Sequence, residues 1–299
     1  MTKDLNRPLL GIFYACLAAL MLASMNMFAK MLGDFYGPID ITFYRNIVAI
    51  ILLLTGMAIF RKLYLIKTKR HLAHFIRSTV GTIGMFFCMW AVIIMPLSIA
   101  TTFIFTAPLF VTLLSYPLLK EKVSLLRLSS VIIGFIGVYL ITNPENNLSP
   151  MMIAVGLTAG FFNGVVAICL RWLGSTESSI TTNSYFFIYG TILTILLMPF
   201  LGGEPPKAEA GWMIAGMGVV GLASLILKTE GFRYGSAALI SPFSYTMIIW
   251  ASIYDYLVWN NELTISVILG SVIIIGSNLF LLWREHRRGQ LQKDILKVS

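Results

Sequence analysis

Apolar residues run in long blocks along this chain, and polar residues collect in the short gaps between them. A block of about 20 largely apolar residues is the length that crosses a bilayer as a helix. The pattern predicts ten such helices, at 9–29, 39–60, 74–94, 98–118, 125–142, 150–171, 180–200, 211–231, 236–257 and 264–283. Helices are required because a bilayer offers no partners to unpaired backbone groups. Strands of a membrane barrel would alternate polar and apolar residues, and these blocks do not. Breakers punctuate the gaps: Gly37-Pro38, Asn143-Pro144 and Gly202-Gly203-Glu204-Pro205-Pro206. The fold class expected is therefore all-α and polytopic, without a soluble domain.

Charge sets how the blocks are threaded. Nearly all of the 22 Lys and Arg residues fall on alternate sides of the blocks: Lys3 and Arg7, Arg61 to Arg77, Lys120 to Arg127, Arg171, Arg233, and Arg284 to Lys297. The opposite side holds only Lys30 and Lys207, while Arg45 and Lys228 lie inside blocks. Loops rich in Lys and Arg stay in the cytoplasm. One crossing more or fewer would destroy the alternation. It predicts an even number of crossings in the inner (cytoplasmic) membrane, with both ends cytoplasmic.

Composition agrees. The 299 residues are 58% hydrophobic and 12% charged, against roughly 25% charged in soluble domains. The net charge of +9 lies in short loops and the tail, where it meets anionic lipid. No basic folded module remains to bind nucleic acid. Cys16, Cys88 and Cys169 sit inside blocks, without the spacing of a metal site or a disulfide. The first block follows Lys3 and Arg7 like a signal peptide, but it is too long and no A-x-A site follows, so it reads as a retained helix.

The chain also repeats itself. The shift that carries Glu121 onto Glu262 also carries Lys30 onto Arg171. Each Glu follows a long apolar helix and precedes one with central glycines, Gly134 and Gly137 in the first copy, Gly270 and Gly276 in the second. The predicted units are residues 1–145, with five crossings, and 146–299, with five crossings and a polar tail. Five is odd, so the second unit enters the membrane from the opposite face. Inverted repeats characterise many secondary transporters, whose substrates bind near the midplane between the halves.

Two segments and one tripeptide carry a family likeness. They are Arg77-Ser-Thr-Val-Gly-Thr-Ile-Gly84 continuing through Ala107-Pro-Leu-Phe to Glu121, then Phe232-Arg-Tyr-Gly-Ser-Ala-Ala through Pro242-Phe-Ser-Tyr-Thr and Ile249-Trp-Ala to Glu262, with Phe43-Tyr-Arg45 upstream. In that order they resemble the EamA-type branch of the drug/metabolite transporter superfamily, over essentially the whole chain. The resemblance implies ten helices around a central cavity and facilitated or ion-coupled transport of small solutes. Such proteins handle amino acids and their derivatives, S-adenosylmethionine, riboflavin and other metabolites. One departure is Trp259-Asn-Asn-Glu262, where the family often has Gly before Glu.

Candidate chemistry lies inside the blocks. Arg45 is an intramembrane charge that should face the bundle interior or a wet cavity. It suits a substrate carboxylate or phosphate, or else snorkels outward or pairs with Asp40 or Asp255. Asp255 is a candidate for an ion pair with Arg45 or Lys30, or for ion coupling. Lys228 and Glu230, near Arg233, are further candidates for coupling or gating, with snorkelling the alternative. Glu121 and Glu262 read as turn or cap residues. Ser241, Tyr245, Ser252 and Asp255 share a helical face, with Trp250 beside it. Asn26, Trp90, Asn163 and Tyr185 add polar and aromatic groups at depth, which suits an amphipathic ligand. Gly156, Gly160 and Gly164 form a ridge for close helix approach, between the halves or in a homo-oligomer.

The parts of other machines are absent from the sequence. His71, His74 and His286 fall at the cytoplasmic edge, and no block pairs carboxylates or sets His beside Ser, so acid–base or nucleophilic chemistry is not expected. No G-x4-G-K-[ST] loop occurs. Neither cofactor nor metal is expected. The reading is a secondary transporter of a small polar metabolite, amino-acid-like or S-adenosylmethionine-like, with riboflavin the runner-up. An intramembrane enzyme or a non-transporting scaffold is the reading from other classes.

Overall fold

The computed structural model describes residues 8–119, 125–142, 147–173, 177–234 and 240–298. Its helices are α1 (Pro8–Leu32), α2 (Pro38–Ile59), α3 (His71–Ile94), α4 (Leu97–Ile104), α5 (Ala107–Leu119), α6 (Leu125–Ile141), α7 (Pro150–Leu173), α8 (Ser179–Leu201), α9 (Gly211–Tyr234), α10 (Thr246–Trp259) and α11 (Ile265–Val298). A 3₁₀ turn, Ser241–Tyr245, leads into α10. No strand occurs among the described residues. Among the described residues, seven helical segments are long and apolar enough to cross a membrane, and Leu128–Ile141 and Ile265–Leu281 are shorter apolar ones. Glu121 and the Asn143-Pro144 turn lie outside the described residues.

Helix ends follow local chemistry. Pro38 opens α2 after Gly37, where a missing N–H costs nothing. Ser178 caps α8 by accepting from the Thr181 N–H at 3.1 Å. Asn260 ends α10 in the left-handed region at φ 52°. Its N–H bonds the Tyr256 carbonyl at 3.1 Å, the closing bond of an αL cap, and the N–H of Asn261 reaches back to the Asp255 carbonyl at 3.0 Å.

Two predicted helices are not continuous α-helix. The block 98–118 divides at Phe105 and Thr106 into α4 and α5. Pro108 has no N–H to offer the Ile104 carbonyl, and the Thr106 hydroxyl donates to the Phe103 carbonyl at 2.6 Å. The block 236–257 changes instead from a 3₁₀ turn to an α-helix at Tyr245 and Thr246, where the Thr246 hydroxyl donates to the Phe243 carbonyl at 2.6 Å. Both breaks carry one pattern, Phe103-Ile-Phe-Thr106 and Phe243-Ser-Tyr-Thr246. The Phe105 and Tyr245 rings touch, with centroids 4.7 Å apart.

Packing obeys an exchange rule. Helix α1 packs along α9, and α7 along α3; α2 meets α9, and α8 meets α3; α1 meets α10, and α7 meets α4 and α5. The pairs α2–α8 and α6–α11 map onto themselves. Swapping the helices of the first half for those of the second turns each of these contacts into another of them, as two repeats of one fold require. At the α6–α11 crossing the backbones nearly touch: a Cβ on Gly137 would lie 2.8 Å from the Gly270 carbonyl oxygen.

The glycine ridge on α7 receives the first break. A Cβ on Gly156 would meet the Phe103 ring at 2.7 Å, one on Gly160 would meet Thr106, and one on Gly164 would meet the Ala107 carbonyl at 3.0 Å. The ridge therefore joins the two halves. Phe103 is fully buried there, and Met89, Met95, Leu97 and Met217 extend the core between the halves. Large apolar side chains such as Ile132, Ile136 and Leu196 cover the outside, as a lipid-facing surface demands.

Candidate functional site

Two arginines enter the interior where α2, α3 and α8 face one another. Arg45 is half-buried, and Arg77 is only 5% exposed. Their guanidinium carbons lie 5.8 Å and 4.3 Å from the centre of the Phe186 ring, and Arg45 is also 5.6 Å from that of Phe187. Arg45 donates to the side-chain oxygen of Asn46 at 3.0 Å. Arg45 Nε, Asn46 Nδ2, Arg77 Nε and Nη1, Ser78 Oγ and Thr82 Oγ1 are buried without a hydrogen-bond partner. Among the described residues no carboxylate offsets either guanidinium; Arg77 instead feels the positive charge of Arg45.

Glycines let these polar side chains lie against the backbones of α3 and α8. A Cβ on Gly190 would stand 2.8 Å from Asn46 Nδ2 and 3.0 Å from Thr82 Oγ1, and one on Gly81 would stand 3.2 Å from Arg77 Nη1. A buried donor left unpaired costs about 1–3 kcal/mol, more if charged, and two close cations repel. An anion answers both costs. Guanidinium forks match carboxylate and phosphate oxygens geometrically.

Next to Arg45, the Asn163 amide donates to Cys88 Sγ at 3.0 Å and to the Ala159 carbonyl at 2.9 Å. Phe87 stacks on Phe162 with centroids 6.0 Å apart and planes 4° from parallel. Trp90 also stacks on Phe87, with centroids 6.0 Å apart. All three rings are half-buried. Arg45 and Asn163 thus both neighbour Cys88, which lies between Phe87 and Trp90 along α3.

The other candidates scatter. Tyr185 stacks on His74, 4.6 Å away, at the end of the bundle that bears the basic loop. Tyr245 sits at the helix break, and Trp250 packs on Ala19, Ala23 and Met247. Asn26 is buried in α1. The polar stripe through Tyr245, Ser252 and Asp255 is interrupted by the break, so it does not form one cavity wall. Lys228 is exposed. Glu230 is held by Arg233 at 2.7 and 2.8 Å. Glu262 is exposed in the turn before α11.

Asp255 is 1% exposed and fully occupied. It accepts from the N–H groups of Leu97 and Ser98 at 2.8 Å each and from the Ser98 hydroxyl at 2.7 Å. It thus caps the N-terminus of α4, where a carboxylate meets the helix dipole. Lys30 stands 3.9 Å from it, donates to the Met95 carbonyl at 2.7 Å, and lies 4.9 Å from the centre of the Trp259 ring. Arg45 pairs with neither Asp255 nor Asp40; the Asp40 carboxylate faces Gly202, 2.9 Å from where a Cβ would be.

Sequence reasoning missed Arg77, Asn46, Ser78 and Thr82. Arg77 was expected in the cytoplasmic basic group, and His74 at that edge; both are buried in α3. The signal was present in their spacing. His74, Arg77, Ser78 and Thr82 recur at helical intervals, which puts them on one face.

A membrane bundle of two like halves, holding buried cation donors between them, is the geometry of a carrier. The sequence pattern of the EamA-like transporter family matches residues 9–143 and again 150–283. The chain belongs to the EamA-like transporter family. It is a multi-pass membrane transporter. An uncharacterized transporter of Helicobacter pylori is 30% identical over 288 residues, covering 92% of this chain and 95% of the relative. An S-adenosylmethionine uptake transporter of Rickettsia bellii is 25% identical over 288 residues, covering 96% and 98%. A solved crystal structure aligns with TM-score 0.62 at 17% identity, covering 93% of this chain and 97% of the other; it shares the fold of this EamA-like chain.

Proposed function

We propose that this EamA-like transporter carries a small carboxylate-bearing metabolite of the S-adenosylmethionine or amino-acid class by alternating access. The carrying observation is the pair Arg45 and Arg77 at Phe186, with donors buried and unpartnered. A carboxylate seated there would accept from both arginines and from Asn46. The rings of Phe87, Trp90 and Phe162 would take an adenine face by stacking, or a sulfonium by cation–π attraction. The Rickettsia bellii relative, an S-adenosylmethionine uptake transporter, supports this cargo class.

The moving halves are residues 1–145 and 146–299, in the inner membrane with both ends cytoplasmic. At Thr106 and Thr246 the hydroxyls bond the Phe103 and Phe243 carbonyls where the helices change course, which suits these as the points where each half flexes. The protein acts as a carrier rather than an enzyme.

Uptake of labelled S-adenosylmethionine into proteoliposomes tests the reading. Wild-type protein is expected to exchange it across the membrane. Arg45→Ala and Arg77→Ala should each cut the rate at least about tenfold, the worth of 1.4 kcal/mol. Uptake of labelled riboflavin without uptake of S-adenosylmethionine would move the cargo to the flavin class. Unchanged exchange in both variants would return the arginines to structure.

A further inference from the structure

We propose that His74 binds a proton that travels with the carboxylate-bearing cargo, making this a proton-coupled carrier. The inference rests on the carboxylate site proposed above and adds a second ligand to it.

His74 is buried with 0% exposure on α3, one turn before Arg77. Its Nε2 lies 3.5 Å from Glu177 Oε2, close enough for an ion pair and longer than a good hydrogen bond. Neither ring nitrogen has a hydrogen-bond partner. A buried neutral imidazole normally places its N–H on an acceptor; this one is instead poised beside a carboxylate. The other Glu177 oxygen is already fixed, accepting from the Thr68 hydroxyl at 2.8 Å.

Every group facing the ring has a stated sign. On its own helix stand Arg77 and His71. From the turn before α8 comes Glu177, and from α8 comes neutral Tyr185, stacked on the ring and backed by Tyr189 at 5.7 Å. The segment before α3 brings Lys67, Lys69 and Arg70 to a cavity of about 850 Å³ that His71, Glu177 and Tyr185 also line. Glu177 attracts an imidazolium; the cations, Arg77 nearest along the helix, repel it.

That balance is what a cargo carboxylate changes. Neutralising Arg45 and Arg77 removes repulsion felt at His74, so the carboxylate favours the proton. By linkage, the proton favours the carboxylate by the same factor. Proton and cargo carboxylate enter together, and the proton leaves through the cavity at the basic end once that end opens. The unloaded carrier, with Arg77 uncompensated, returns without the proton. A coupling of about tenfold falls within the usual range.

Proteoliposomes loaded with pyranine and given labelled S-adenosylmethionine outside test this. Wild type should bring protons in with the cargo. In His74→Gln the protons entering per cargo molecule should fall at least about tenfold, whatever the absolute rate. Equal proton entry in wild type and H74Q, or cargo movement without protons in wild type, overturns the proposal. Histidine NMR on wild-type protein in detergent covers the case where H74Q fails to fold or the cargo is another molecule. With only three histidines, His71→Gln and His286→Gln assign the signals. The His74 ring should titrate, and Glu177→Gln and Arg77→Gln should move its midpoint in opposite senses. A ring that does not titrate overturns the proton site even if S-adenosylmethionine is carried. Titration without any exchange of S-adenosylmethionine removes the cargo reading alone.

Discussion

Asp255 and Arg45 are both charges inside the bilayer, and the structure treats them in opposite ways. Asp255 has three hydrogen bonds and a lysine 3.9 Å away. Arg45 has one neutral amide and a second arginine as its electrostatic neighbour. A charge with a full set of partners holds helices together. A charge left with free donors waits for a ligand, because only an added anion recovers what burial cost. The sequence offers both as rare intramembrane charges; what separates them is whether the fold brings them partners.

The sharpest way to break this comparison is Asp255→Ala. It strips the α4 cap and strands Lys30, so we expect a loss of about 3–5 kcal/mol, read as a large drop in melting temperature and folded yield in detergent. Arg45→Ala should act the other way round: a melting temperature at or above wild type, and exchange reduced about tenfold to a hundredfold. If R45A instead melts as low as D255A, Arg45 is structural and the distinction fails. Gly160→Val tests the seat of the first break. The new side chain would collide with Thr106 and the Phe103 carbonyl, and overpacking costs about 1–3 kcal/mol. Thermal unfolding should register it between the other two. The smallest effect belongs to Glu230→Gln. Its partner Arg233 is 60% exposed, and water already solvates exposed pairs well, so no measurable change in melting is expected.

Much of the fold was legible because the bilayer simplifies the problem. Every crossing must be helical and about 20 residues long, so apolar blocks give the elements directly. The doubled glycine helices marked the repeat, and Gly137 and Gly270 indeed meet where α6 crosses α11. The breaks in the fourth and ninth crossings were less visible. Hydropathy does not register a missing N–H at Pro108 or a Thr hydroxyl bonded to its own helix. The site was legible in part. Arg45 stood out as a charge within an apolar block, while Arg77 hid among loop cations, because a basic residue near a helix end is usually a topological signal.

The sequence by itself determined that this chain is a doubled set of membrane helices, since block length, lysine and arginine placement and internal repetition are all local properties of the chain. Only the tertiary structure decided which charges are spent and which are free. Asp255 finds α4 from more than 150 residues away in the chain, and Arg77 turns inward toward Phe186. Those pairings depend on which helices become neighbours, and no periodicity within a single helix encodes that.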